Sequence, residues 1–454
     1  MNTPICDFVN GYVKRNEIRL HMPGHKGVSF LGVEDRDITE VEGADVLYSP
    51  SGIIAESQDN ATVLFESGKT VYSTEGSSLC IRAMVYLAVM QARKNGKKPL
   101  ILAARNAHKT FMSAVALLDA EVEWFSPSLR ESVLSCRIDA AELDKKIEKM
   151  SELPVAVYIT SPDYLGTVSD IAGISEICKK HGILLLVDNA HGAYLKFLPV
   201  SRHPIDLGAD LCCDSAHKTL PVLTGGAYLH VSKGAPRIFY DMVTEAMSLF
   251  ASTSPSYLVL QSLDLANKYM AEGYGKKLAD FAERLQECKE ALIKKGFSLI
   301  GSEELKLTVA SKSYGYYGYE LAEFLLEKGI VCEFSDPDFL VLMLTPENDG
   351  VFEKLLNVLE KLPRLKEINE SARVPESCQR VLSVREAMLS PSEEIDVDEA
   401  RGRILASPSV SCPPAVPILV CGEMIDEKAI ECFKYYGIEK CRVVELNKSK
   451  SATV

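Results

Sequence analysis

Lys218 stands directly after a histidine in "DSAHKTLPVLTGG" (214–226), at the end of the apolar run "ADLCCDSAHK". A lysine so placed is either a surface residue on a loop or an amine held for covalent chemistry. The second role needs a carbonyl compound to condense with it and surroundings that depress its pKa. Three other stretches bear on the choice. Asp188 follows "ILLLV" and opens "DNAHG", so its carboxylate sits at the edge of a very apolar strand. Such a carboxylate either caps the next turn or pairs with a cation, because buried carboxylates are seldom left alone. His108 in "RNAHKT" is either a structural loop histidine or a flat ring for stacking. Gly76, Ser77 and Ser78 in "STEGSSLC" fall between a strand and a long helix. They make either an ordinary N-cap or a phosphate cradle of helix N–H groups and hydroxyls.

Read together, these four are the parts of a pyridoxal 5'-phosphate site. Their order is phosphate cradle, ring stacker, carboxylate that keeps a pyridine nitrogen protonated, and lysine. Rival phosphate motifs fail on spacing. "SGKT" at 67–70 is half a P-loop, but the leading glycine position is Val63, and no GxGxxG opens a helix after a strand.

The elements that must hold these groups alternate from about residue 70 to 230. Short β-rich runs ("TVYSTEG", "PLILAARN", "EVEWFSP", "VAVYITSP", "ILLLVDNA", "ADLCCDSA", "GAYLHV") are separated by helical stretches such as "SSLCIRAMVYLAVMQARKNG" and "VSDIAGISEICKKHG". Continuous apolar strands between helices predict an α/β fold with a mostly parallel sheet covered on both faces. Ligands bind beyond the carboxyl ends of such strands, where each stretch above falls. A long helical region over 255–295 is expected to bridge to a second domain. Residues 305–363 read β-α-β-β-α, a small α+β domain, and "NESARVPESCQ" reads as a linker to a proline-rich third segment. The expected division is 1–290, 291–370 and 371–454.

Composition narrows the partners. The 454 residues carry 50 basic and 63 acidic side chains, a net charge of −13 that disfavours nucleic acid. The N-terminus lacks a signal-peptide core, and no apolar run is long enough to span a bilayer. Thirteen cysteines without CxxC spacing suggest reduced thiols in a cytoplasm. No zinc or other metal site is expected, since HExxH is absent and His21 and His25 bracket "MPG".

The chain resembles the Orn/Lys/Arg decarboxylases, fold-type I pyridoxal phosphate enzymes whose large domain is aspartate-aminotransferase-like. "RLHMPGHKG" (20–27 within it), "DITEVEGADVLYSPSGII", "ITSPDYLGTVSDI", "VDNAHGAYLKF" and "DSAHKTLPVLTGGAYLH" carry the likeness. So do "STSPSYLVLQSLD", "GYELAEFLLEKGIVCEFSDP" and the tail "REAMLSPSEEI…CPPAVPILVCGE", all in the family's order. The resemblance implies that Lys218 binds the cofactor covalently, Asp188 pairs with its ring nitrogen and His108 stacks on the ring. It places Ala190 near the other ring face, His191 at the border of the site, and Gly76, Ser77 and Ser78 around the phosphate. Ser215 and His217 add contacts beside the lysine. In the family the site lies at a dimer interface, so Thr253 of "STSP" would reach the partner's phosphate. Glu333 and Asp336 are acidic candidates for the substrate side chain or members of a solvated turn. The family's residues differ at two places: an asparagine-like residue and a threonine are commoner than Glu75 and Ser77, and glutamine is frequent where Gly225 stands. The receiver-like N-terminal domain of the longer enterobacterial enzymes is not seen, so a homodimer is expected rather than a decamer.

The implied reaction is α-decarboxylation of arginine, lysine or ornithine, with a lean to arginine, giving a polyamine or its precursor. The alternatives are an aminotransferase or aldolase on the same fold, and a catalytically inactive regulatory homologue.

Overall fold

The computed structural model describes residues 1–126, 132–348, 350–372, 374–375, 378–408 and 415–446. Part of the proline-rich "SCPPAVP", residues 411–414, lies outside the described residues. From the N-terminus run α1 (Pro4–Arg15), α2 (Ile53–Phe65), β1 (Lys69–Ser73), α3 (Gly76–Lys94) and β2 (Leu100–Ala104). Next come α4 (Lys109–Leu118), β3 (Glu121–Phe125), α5 (Ala140–Glu148), β4 (Ala156–Thr160), α6 (Ile171–His181) and β5 (Leu184–Asp188). β6 (Leu211–Asp214), α7 (Ala216–Thr219), β7 (Ala227–Val231), α8 (Arg237–Ser248), α9 (Tyr257–Tyr269) and α10 (Gly275–Lys294) follow. The remainder holds β8 (Leu299–Ile300), β9 (Lys306–Ala310), α11 (Gly318–Glu327), β10 (Phe334–Ser335), β11 (Phe339–Met343) and α12 (Val351–Leu359). It ends with α13 (Val384–Leu389), β12 (Ser392–Asp396), α14 (Glu427–Tyr435) and β13 (Lys440–Val444).

Seven strands form a sheet in the order β1-β7-β6-β5-β4-β2-β3. β5 with β6, and β2 with β3 and β4, pair in parallel, while β7 runs antiparallel to β1 and β6. The α/β architecture with a mostly parallel sheet is the one the alternation predicts. Every residue of β6 and β7 is buried, which is why their sequences are apolar apart from Asp214 and His230.

The chain packs as two units, Met1–Gly96 with Ile171–Phe281, and Lys97–Asp170 with Ala282–Val454. In the first, α3 is held by Leu79, Cys80, Ala83, Met84, Leu87 and Ala88, a stripe at helical spacing that is wholly buried. The expected helical region over 255–295 is built of two helices. α9 stops before a kink at Glu272 (φ −106°, ψ 60°) and Gly273 (φ +91°), and α10 begins at Gly275. Gly273 takes the left-handed conformation that a side chain disfavours, and no continuous helix passes through it.

In the second unit the β-α-β-β-α order of 305–363 appears as β9, α11, β10, β11 and α12. β8 extends its sheet to the order β10-β11-β9-β8. A core of Leu134, Leu165, Val341, Leu405, Ile418 and Phe433 binds this unit together. Arg105, in "RNAHKT", meets Glu423 of the C-terminal segment in a bidentate pair (2.6 and 2.9 Å) whose side chains are 3 and 4% exposed. Among the described residues no helix is long and apolar enough to cross a membrane.

Candidate active site

β6 ends at Asp214, and the single turn α7 then raises Lys218 from the sheet edge. The Lys218 amine Nζ lies 3.0 Å from His191 Nε2, and His191 is only 4% exposed. The neighbouring His217 is turned elsewhere, its Nδ1–H donating to the Gly226 carbonyl at 3.0 Å. Burial pushes the His217 imidazole below its usual range, with the Gly226 carbonyl opposing and the Lys218 charge assisting. His217 therefore anchors the lysine turn to the "LTGG" loop.

Asp188 closes β5 and is 2% exposed. Its Oδ1 accepts the Ala190 N–H at 3.2 Å and the Cys213 thiol at 3.6 Å. The turn-capping role is thus realised, and Ala190, 8% exposed, follows directly on that turn.

The glycine–serine stretch opens α3. Gly76 adopts φ +71°, and a Cβ built on it would meet no atom within 4 Å, so open space lies before it. Ser215 Oγ donates to Ser77 Oγ at 2.7 Å, joining the helix start to the strand end that carries Lys218. Ser78 stands in the first turn of α3. Glu75 does not point at this space alone: its Oε1 accepts the Ser252 N–H at 2.8 Å, tying it to the "STSP" segment. Thr253, next in that segment, is exposed.

The remaining candidates belong to the second unit. His108 is the N-cap of α4, its Nδ1 accepting the Thr110 N–H at 3.1 Å, the structural role a loop histidine can take. Glu333 accepts the Tyr164 hydroxyl at 2.9 Å. Asp336 Oδ1 accepts the N–H groups of Asp338 (2.8 Å) and Phe339 (2.7 Å), capping the turn into β11.

One cluster escaped the sequence reading. Asp214, His203 and His230, all fully buried, meet beneath Lys218's turn. Asp214 Oδ2 receives His203 Nε2 at 3.0 Å and His230 Nε2 at 3.1 Å, while Oδ1 receives Asn189 Nδ2 at 2.7 Å. Burial opposes the charge, yet attraction from His203 and His230 holds the Asp214 carboxyl well below its usual range. The Ile205 N–H donates to His203 Nδ1 at 3.4 Å, so the proton of that ring sits on Nε2. A metal would need the lone pair which that proton occupies, so the cluster reads as a hydrogen-bonded anion. The visible signal was a carboxylate ending an all-apolar strand, the same signal that singled out Asp188.

The residues of the first unit fit pyridoxal phosphate on their own chemistry. An amine, a buried carboxylate at the neighbouring strand end, and paired hydroxyls at a helix start facing open space supply its three attachment points. Beside the lysine, the buried Thr219 hydroxyl has no hydrogen-bond partner among the described residues.

The mostly parallel sheet with helices on it is the fold of the fold-type I enzymes, and its strand ends gather an amine, a buried carboxylate and paired hydroxyls. Residues 3–308 match the model of the Orn/Lys/Arg decarboxylase major domain, and residues 371–440 match that of the C-terminal domain. The uncharacterized protein YaaO of Bacillus subtilis is 30% identical over 95% of this chain and 93% of its own. An arginine decarboxylase of the same organism is 30% identical over 94% of this chain and 92% of its own. The crystal structure of the Francisella novicida lysine decarboxylase LdcF superposes with a TM-score of 0.79, covering 98% of this chain and 81% of that one at 16% identity. The chain belongs to the Orn/Lys/Arg decarboxylase family.

Proposed function

We propose that the protein decarboxylates a basic amino acid, arginine foremost, with pyridoxal 5'-phosphate, releasing carbon dioxide and an amine. The observation that carries the reading is the Lys218–His191 contact of 3.0 Å, in the unit that also holds Asp188 and the Ser77–Ser215 hydroxyl pair. Arginine is favoured because the named relative aligned over 94% of this chain is an arginine decarboxylase. When bound, the cofactor supplies an electron sink for the breaking bond to the carboxylate carbon.

The chain's own groups do the rest. Lys218 offers the amine that holds the cofactor, and His191 fixes Nζ and exchanges a proton with it. Asp188 keeps a proton on the ring nitrogen. Gly76, Ser77 and Ser78 hold the phosphate, with Ser215 beside them. His108 supplies the stacking ring, Ala190 borders the other face, and His217 braces the lysine turn. Glu333 faces the distal cation of the substrate.

The working form is a homodimer in which Thr253 contributes to the partner's site. The high exposure of Leu20 (91%), Ile18 and Leu31 (87% each) and Phe30 (77%) supports a surface that a second copy covers. Unpaired cysteines throughout the described residues support a reducing cytoplasm. The functional division remains 1–290, 291–370 and 371–454.

Purified protein loaded with cofactor and given arginine, lysine or ornithine should release carbon dioxide and the matching amine. Lys218→Ala should abolish both turnover and the cofactor's visible absorbance. Turnover that depends on a keto acid, or no carbon dioxide from any of the three, overturns the reading.

A further inference from the structure

The second unit carries a cavity of about 380 Å³ against β10 and the end of α14. Its floor is apolar, made by Leu134, Val416, Ile418 and Ile438. Its walls are aromatic, from Tyr319, Phe334, Tyr435 and Tyr436. One carboxyl group, that of Asp336, lines it at 8% exposure.

The charges around that carboxyl are already committed. Lys312 Nζ is bound to Asp338 Oδ1 at 2.9 Å, to the Glu370 carbonyl at 2.8 Å and to the Tyr435 hydroxyl. Asp338 is further satisfied by the hydroxyls of Tyr435 (2.6 Å) and Tyr436 (3.3 Å). Lys434, which also lines the cavity, is paired with Asp398. Asp336 itself holds only two backbone N–H groups, both through Oδ1. A buried carboxylate without a cation bound to it directly is costly, and here burial pushes the group up to about 7, with the Phe339 N–H and the more distant attraction of Lys312 opposing.

We propose that this cavity binds an aliphatic ammonium ion, with Asp336 as counter-charge and the rings of Phe334, Tyr435 and Tyr436 as walls. Aromatic faces attract such a cation, and the apolar floor takes its chain. A carboxylate on the ligand would be repelled by that of Asp336, the one acidic group in the lining. Amines are therefore favoured over amino acids, which is the chemical difference between product and substrate of a decarboxylase. The binding claim does not depend on that reaction; only the cellular source of the amine rests on it.

The test uses the full-length holoenzyme and butyltrimethylammonium, a probe without N–H groups that cannot condense with the cofactor. Calorimetry should show saturable binding that weakens about tenfold or more in Asp336→Asn. That variant keeps an oxygen for the Asp338 and Phe339 N–H groups, and circular dichroism confirms its fold. Ser335→Trp, which puts a bulky ring on the cavity lining and leaves the Asp336 carboxyl in the sequence, should also remove the binding. Equal affinity in wild type and Asp336→Asn, or no binding to the wild type, overturns the proposal. Decarboxylation is assayed on the same samples: binding without turnover sinks the proposed function and leaves the cavity standing, and turnover without binding does the reverse.

Discussion

Replacing Asp214 tests whether the ground beneath Lys218 is a hydrogen-bonded anion. Alanine there would strand four donors, His203 Nε2, His230 Nε2, Asn189 Nδ2 and the Cys212 thiol, in a place with no solvent exposure. An unsatisfied buried donor costs about 1–3 kcal/mol. The losses share one site and do not add in full, so Asp214→Ala should destabilise by about 3–5 kcal/mol. Asparagine is gentler for a reason the geometry gives. Its oxygen still serves Asn189, while its NH2 confronts the two ring N–H groups. His230 can change tautomer, because Thr70 Oγ1 lies 2.8 Å from its Nδ1 and can accept a proton there. His203 cannot do so without losing the Ile205 N–H. One clash therefore remains, and Asp214→Asn should cost about 1–3 kcal/mol. Urea unfolding followed by circular dichroism, with and without cofactor, measures both. An Asp214→Ala loss under about 0.5 kcal/mol, a typical surface value, would refute the reasoning.

Gly225→Ala should lower stability by about 1–3 kcal/mol and weaken cofactor binding, because φ is +97° and the new Cβ would lie 2.7 Å from the Thr74 carbonyl. An unchanged melting temperature and cofactor titration contradict this. Arg105→Ala leaves Glu423 buried without its guanidinium and should cost about 3–5 kcal/mol, read by thermal unfolding. Burial holds His217 and His230 below their usual range, so below about pH 6.5 the unfolded chain binds protons that the folded chain does not. Their contribution therefore falls on acidification, and stability profiles of single glutamine variants should be flatter there. Asp336 has the opposite sign: raised to about 7, it is protonated in the fold and ionised in the unfolded chain between about pH 4 and 7. Its contribution is lost as pH rises through that window, so Asp336→Asn should gain stability relative to wild type toward pH 7. Probe binding in the wild type should strengthen over the same rise, and a flat response would count against the ionised form as the host.

The sheet was legible because its strands are covered on both faces, and burial on both faces demands unbroken apolar runs such as "LLLVD" and "LCCD". Helices between them carry buried stripes and glycine stops, which are local signals. The break between α9 and α10 was harder to read. Glycine at 273 and 275 fits either a tolerated helical residue or a left-handed kink, and the surrounding fold decides. His203, Asp214 and His230 have no motif spacing. They meet because β7 returns antiparallel to β6, pairing Cys212 with His230 and Asp214 with Tyr228. Glu333 and Asp336 are three residues apart in sequence, yet one meets Tyr164 and the other caps its own turn, a difference made by side-chain direction along β10.

The two departures from the family's usual residues meet at the start of α3. Gly225 gives its carbonyl to the Gly76 N–H at 2.7 Å, so the first donor of α3 is used by the "LTGG" loop rather than left for an anion. A side chain at 225 would strike the Thr74 carbonyl and push that loop away, which is why glutamine cannot simply replace glycine here. Glu75, at the cap of the same helix, spends an oxygen on the Ser252 N–H. Under the proposed function, the phosphate would be held more by hydroxyls, those of Ser77 and Ser215, than by helix N–H groups. Ser77→Ala should accordingly weaken cofactor binding more than a single hydroxyl does in a cradle rich in backbone donors. Ser77→Thr, which keeps the hydroxyl, should restore it; equal losses in both variants would return the weight to the backbone.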